Sequence, residues 1–230
     1  MKTPVELEKC FSALGAVFLT PAAVIAQRLT SLRALVFDWD GVFNAGEKGG
    51  ADPSTFTEAD SMGTNLLRYA LWRRQGQMPI TAIISGMDNP TAQQFAKREH
   101  FQVVYSSATD KSQAIAQLCV RYDLKTHEIG CVFDDVNDLS MAAVCGLRFL
   151  VRRDASPLLQ DHVARRQLVD YLSAGSSGHY VVREVAELLL GLMGVFDAVT
   201  DSRVSVDEDY KNYFAARQAV HTELLTLGAA

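Results

Sequence analysis

Two short apolar runs that end in carboxylates constrain this chain most: Arg33-Ala-Leu-Val-Phe-Asp38 and Ile129-Gly-Cys-Val-Phe-Asp134. A nearly continuous apolar run, without in-and-out alternation, is a strand covered on both faces, as in a parallel sheet. Ile80-Thr-Ala-Ile-Ile-Ser85, Gln102-Val-Val-Tyr105 and Leu147-Arg-Phe-Leu-Val151 read the same way. The intervening stretches 61–74, 90–100, 111–122, 137–144 and 180–193 have the length and spacing of crossover helices. The alternation predicts a doubly wound, mainly parallel α/β sheet with right-handed crossovers. Such sheets bind ligands at the carboxyl edge, where Asp38, Asp134 and Ser85 would gather.

Residues 32–195 are expected to form this core, with helical extensions over 1–31 and 196–230. Within the second extension, 207–227 reads as one amphipathic helix opened by Asp207-Glu-Asp. Residues 44–59 are rich in Gly and polar groups around Pro53 and read as a short flap hairpin in place of a cap domain. The formal charge of −5 and the absence of a Lys/Arg run argue against nucleic acid as a partner. An anionic substrate would therefore be drawn by a local site. Cys10, Cys119, Cys131 and Cys145 form no Cys-x-x-Cys pair and lie in or beside apolar runs, as buried free thiols do in a reducing compartment. The apolar stretch 11–26 is short of the roughly 20 residues that span a bilayer. Glu6 and Glu8 before it and Pro21 within it speak against a secretory signal, so the expected location is the cytoplasm, without a membrane partner.

Asp38-Trp-Asp40-Gly41-Val42 places two carboxylates two residues apart where a strand gives way to a turn that Gly41 eases. Phosphate monoesters hydrolyse extremely slowly unaided, and a carboxylate that forms an aspartyl-phosphate divides the reaction into two steps. Asp38 is the expected nucleophile and Asp40 the general acid and base. Carboxylates facing a phosphate dianion call for a hard cation, and Mg²⁺ fits. Asp134 is the expected direct ligand, with Asp135 and Asp138 around it and Asp138 able to hold a metal-bound water. Alone, such an acidic cluster is a helix cap on a solvated loop; beside Asp-x-Asp-Gly it reads as a site. Ser85 and Gly86 could donate hydroxyl and backbone N–H to a phosphoryl oxygen, and Lys111, opening a helix, could neutralise charge during transfer. Trp39, between the two aspartates, should point away from them into the core. His179 reads as a solvated loop residue.

The order Asp-x-Asp-Gly-Val, strand-Ser-Gly, Lys, Asp-Asp-x-x-Asp resembles the four motifs of the haloacid-dehalogenase-like phosphatases. Asp60 with Gly63 and Gly175-x-x-Gly178-x-x-Val-Val-Arg183-Glu184-Val185 make the chain similar to the capless branch typified by 3-deoxy-manno-octulosonate 8-phosphate phosphatase. The resemblance covers roughly residues 32–193. It implies a Rossmann-like core, Asp38 as nucleophile, Asp40 as acid/base and main-chain metal ligand, and Asp134 as the third Mg²⁺ ligand. Ser85 and Lys111 would bind phosphate, and the assembly would be a homo-oligomer, tetrameric in that branch. Met87 and Ala59 stand where that branch carries arginines, and Phe133 where it carries Gly. With two cations missing, the expected substrate widens to a phosphosugar, a sugar-acid phosphate or another small phosphate ester. The short flap argues against a phosphomutase. The remaining rival is a catalytically degenerate binding or assembly module of the same fold.

Overall fold

The computed structural model of the protein describes residues 2–49 and 54–227. In chain order, α1 (Pro4–Ala13), β1 (Val17–Phe18) and α2 (Ala22–Leu29) lead into β2 (Ala34–Phe37), the first of the buried apolar runs. Then come α3 (Glu58–Gln75), β3 (Ile80–Ile84), α4 (Pro90–Glu99), β4 (Val103–Ser106), α5 (Lys111–Tyr122) and β5 (Ile129–Phe133). The chain continues through α6 (Leu139–Ala142), β6 (Leu147–Arg152), α7 (Pro157–Arg165), β7 (Tyr171–Ser176) and α8 (Val181–Leu192). It closes with α9 (Phe196–Ser205), α10 (Glu208–Gln218) and β8 (Glu223–Thr226). The strands form one eight-stranded sheet in the order β1-β7-β6-β5-β2-β3-β4-β8. Every pairing is parallel except that of β1 with β7.

Side chains alternate along each strand, so both faces of the sheet must be covered. Leu35 and Phe37 of β2 enter a core with residues of α2, α3 and α8; Ala34 and Val36 enter a second core with α5, α6 and α7. In α3, a Cβ on Gly63 would stand 2.9 Å from Arg183 Cα, so only glycine allows α3 and α8 to pack this closely. Order reverses beside β2: the chain moves to β3 and β4 on one side, then returns to β5 and β6 on the other. That switch point opens a crevice at the carboxyl ends of β2, β3 and β5.

Several expected elements differ. The stretch 137–144 is not a full crossover helix: a 3₁₀ turn, Val136–Asp138, precedes the single turn of α6, because Asp138 folds its carboxylate back onto the Asp134 and Asp135 N–H groups. The helix expected over 207–227 ends at Gln218. Beyond it the open edge of β4 captures the β-branched, apolar tail, with Glu223 N–H donating to Gln102 O at 2.9 Å and Leu227 N–H to Ser106 O at 2.9 Å. Both segments expected as helical extensions therefore also supply edge strands, β1 and β8. Helix α7 and strand β7 were not anticipated. Of the expected flap hairpin, residues 44–49 and 54–57 carry no strand, and residues 50–53 lie outside the described residues. Cys131 and Cys145 are buried as expected, but Cys119 is half-buried and Cys10 exposed. No helix among the described residues is long and apolar enough to cross a membrane.

Candidate active site

The chain leaves β2 at Phe37 and turns sharply, which places Asp38 at the sheet edge and lets Asp40 follow within the same crevice. Gly41 makes the turn at φ +88°. A side chain there would also collide with the Asp134 carboxylate and the Arg153 guanidinium, so glycine is required twice over. Asp134 follows β5, the neighbour of β2, and Ser85 follows β3 on the opposite side. Lys111 is the first residue of α5, set by Asp110, whose carboxylate caps the helix by accepting from Ser112 N–H at 3.0 Å. Trp39 points away as expected and is buried, stacked on Phe43 with ring centroids 4.9 Å apart.

Three of the expected residues converge. Ligand oxygens of Asp38, Asp134 and Asp138 all lie within 4.8 Å of one another, and all three residues are buried. The Lys111 ammonium, 2% exposed, sits between Asp38 Oδ1, at 2.5 Å, and Asp138 Oδ1. Asp138 spends its second oxygen on the N–H groups of Asp134 and Asp135. Its carboxylate, expected beside a metal-bound water, is thus fully used inside the protein and holds Lys111 in place. Asp134 is different. It is 1% exposed, yet neither oxygen accepts a hydrogen bond. Arg153 Nη2 comes within 2.5 Å of its Oδ2, too far off the N–H direction to form one.

Asp40 lies at the mouth, accepting from Ser54 Oγ at 2.6 Å and pairing with Lys48. Ser85 is buried with its Oγ at the cleft, while Gly86 and Met87 are exposed at the rim. Asp135 stands at the edge, its Oδ1 accepting from Val136 N–H at 2.7 Å. All eight expected residues line one cleft of about 280 Å³, joined by Gly46, Lys48, Met87, Asn137 and Arg153. His179 is exposed outside it. The sequence reading missed Lys48 and Arg153. The one available signal for Arg153 was a basic pair, Arg152-Arg153, directly after a buried strand.

Electrostatics follow from this crowding. Burial pushes the Asp38 carboxyl up to about 6, Asp138 adding to the rise and Lys111 opposing it. Burial, then Asp38 and Asp138, push Asp134 up to about 8 against the pull of Arg153. Burial works against the Lys111 ammonium, but Asp38 and Asp138 outweigh it and hold its pKa above the ordinary lysine value. A cleft in which carboxylates outnumber the cations, with three of their oxygens within 4.8 Å of one another, suits a hard divalent cation.

Fold and site together place the chain among proteins with the capless haloacid-dehalogenase-like phosphatase fold. Among solved structures it is similar to 3-deoxy-D-manno-octulosonate 8-phosphate phosphatase from Yersinia pestis, at 25% identity and TM-score 0.63 over 75% of this chain and 88% of that one. The Moraxella catarrhalis 3-deoxy-D-manno-octulosonate 8-phosphate phosphatase, solved in complex with magnesium ion, phosphate ion and a KDO molecule, matches at 23% identity and TM-score 0.65 over 78% of this chain and 97% of that one. The cobalt-bound Haemophilus influenzae enzyme matches at 24% and TM-score 0.62 over 74% of this chain and 96% of that one. No protein-family model and no curated protein sequence matches the chain.

Proposed function

We propose that the protein is a magnesium-dependent phosphatase that hydrolyses a small phosphorylated metabolite, a phosphosugar or sugar-acid phosphate, through an aspartyl-phosphate on Asp38. The observation that carries this reading is the buried Asp38, Asp134 and Asp138 cluster at the switch point, with Lys111 between two of its members and Asp134 without a hydrogen bond. Mg²⁺ held by Asp38, the Asp40 main-chain carbonyl and Asp134 would supply positive charge against the phosphoryl oxygens.

Asp38 attacks phosphorus as the bond to the leaving oxygen breaks. Asp40, at the cleft mouth, gives that oxygen its proton. The carboxylate of Asp40 then takes a proton from the water that attacks the aspartyl-phosphate, which releases inorganic phosphate and restores Asp38. Lys111 neutralises the nucleophile and the transferring group, and Ser85 Oγ with the Gly86 N–H orients the phosphoryl oxygens. Asp138 fixes Lys111, and Asp135 supports the loop that carries Asp134.

The test is phosphate release from a panel of phosphosugars, sugar-acid phosphates and nucleotides, with Mg²⁺ and with chelator. Release should require the metal, vanish in Asp38→Asn and fall about 10²–10⁴-fold in Asp40→Asn. Release that survives both chelator and Asp38→Asn would reject the mechanism. No release from any ester would favour the non-catalytic module.

A further inference from the structure

Arg153 belongs to none of the four motifs, yet the chain makes room for it. Of the basic pair at the end of β6, Arg152 is committed elsewhere: its guanidinium donates to Ser173 O at 3.0 Å and to Gly15 O at 2.8 Å. Arg153 lines the cleft instead, and its main-chain carbonyl is fixed by Ser156 N–H at 3.0 Å and Gln160 Nε2 at 2.9 Å. Its guanidinium lies against Gly41 and Gly46, where a Cβ would stand 2.4 Å and 3.0 Å from Nη2. Two glycines thus leave a slot that the guanidinium fills.

What it meets there is Asp134. Nη2 lies 2.5 Å from Asp134 Oδ2, and Nη1 lies 3.9 Å from Asp135 Oδ2. Neither Asp134 oxygen accepts a hydrogen bond among the described residues, and Arg153 Nε, also buried, donates none. The pair is held by charge alone, without the forked hydrogen bonds that make arginine–carboxylate pairs strong. The balance of charge gives this contact its role. Five aspartates and three cations line the cleft. Lys111 is committed to Asp38 and Asp138, and Lys48 to Asp40, which leaves Arg153 as the cation of Asp134 among the described residues. Asp134 is 1% exposed, so without Arg153 its charge would be buried unpaired. A divalent cation on the same carboxylate would meet the guanidinium as a like charge at short range.

Building on the phosphatase reading, we propose that Arg153 is a built-in counter-ion of Asp134 that competes with the divalent metal: it neutralises the carboxylate in the metal-free chain and yields Oδ2 when the metal binds. Arg153 therefore sets how tightly the site holds its metal. It lowers the affinity, so that occupancy follows the concentration of free cation. At 30% exposure its side chain has solvent to withdraw into, whereas Lys111, at 2%, does not.

The experiment titrates Mg²⁺ by calorimetry into metal-free wild type, Arg153→Ala and Arg153→Lys, and melts each protein in chelator and in saturating Mg²⁺. Both are run at pH 9, above the value of about 8 for Asp134, so that the guanidinium and not a proton is the competitor. Arg153→Ala should bind Mg²⁺ about tenfold more tightly than wild type, with Arg153→Lys between them. In chelator Arg153→Ala should melt below wild type; in saturating Mg²⁺ that gap should close, because tighter binding adds more stability. Equal or weaker Mg²⁺ binding by Arg153→Ala would overturn the proposal, and a melting deficit that stays the same in both conditions would then mark Arg153 as a structural support. No Mg²⁺ binding by any of the three proteins would instead defeat the metal-dependent phosphatase reading, and the proposal with it.

Discussion

At the scale of single residues, the crowding of Asp38 and Asp134 makes stability depend on pH in an unusual direction. Both carboxyls bind protons more tightly in the folded chain, at about 6 and about 8, than at the ordinary value of 3.8. The folded state thus holds extra protons through that window, and stability falls as pH rises across it. Metal-free protein should melt at a lower temperature at pH 8 than at pH 5, and Asp134→Asn should flatten the slope. Thermal unfolding in chelator measures this, and a melting temperature that climbs equally in both proteins would refute it. Gly41 supplies a second prediction. Gly41→Ala forces a side chain into a positive-φ position already occupied by Asp134 and Arg153, so phosphate release should be lost even where the protein still folds. Retained turnover would show that the turn can shift without disturbing Asp134. The residues legible in sequence were those whose place follows from a strand end or helix start: Asp38, Ser85, Lys111 and Asp134. Arg153 was not, because the ladder between β6 and β7 shifts register between Leu150 and Arg152, and a register shift changes which side chain faces the cleft.

At the scale of elements, α10 is held to the core by one buried charge. Glu99, at the end of α4, accepts from Ser61 Oγ at 2.8 Å, Asn65 Nδ2 at 2.6 Å and Arg217 Nη2 at 2.6 Å, so α3, α4 and α10 meet on a single carboxylate. Arg68, fully buried, closes the same junction by donating to the main-chain carbonyls of Glu99 and, at 2.7 Å, His100. Arg217→Ala takes from buried Glu99 the cation it is hydrogen-bonded to and leaves it only the more exposed Arg98, Nε at 3.3 Å, at a cost of roughly 3 kcal/mol. For a chain of this size that lowers the melting temperature by about 6–12 °C, with Arg217→Lys intermediate. A change below about 2 °C would mean that α10 is held by its apolar contacts alone. Elements with a strong apolar period were readable, among them α4, α5, α8 and the five central strands. Strand β7, Tyr-Leu-Ser-Ala-Gly-Ser, lacks an apolar run, and β8 adopts its strand only because β4 offers an open edge. Tertiary pairing decided both, and no local pattern announces it.

At the scale of the whole molecule, both faces of the sheet are already sealed by helices, so ligand binding is expected to act on stability through the cleft alone. A cation that binds the folded chain and not the unfolded one adds about 2.7 kcal/mol at a hundred times its Kd. Mg²⁺ should therefore raise the melting temperature by about 5–10 °C, and Asp134→Asn should remove the effect. Equal stabilisation of wild type and mutant would place the ion elsewhere.

The chain holds only two tryptophans, Trp39 and Trp72. Trp39 sits between the two aspartates, its indole N–H buried without a partner and its ring stacked on Phe43; Trp72 lies on the far part of α3, against Tyr69 and Tyr213. In Trp72→Phe the remaining emission comes from the residue next in sequence to Asp38, whose ring backs the active-site loop from the core side. Addition of Mg²⁺ or inorganic phosphate is then expected to change its intensity and wavelength in real time, without a label and without turnover.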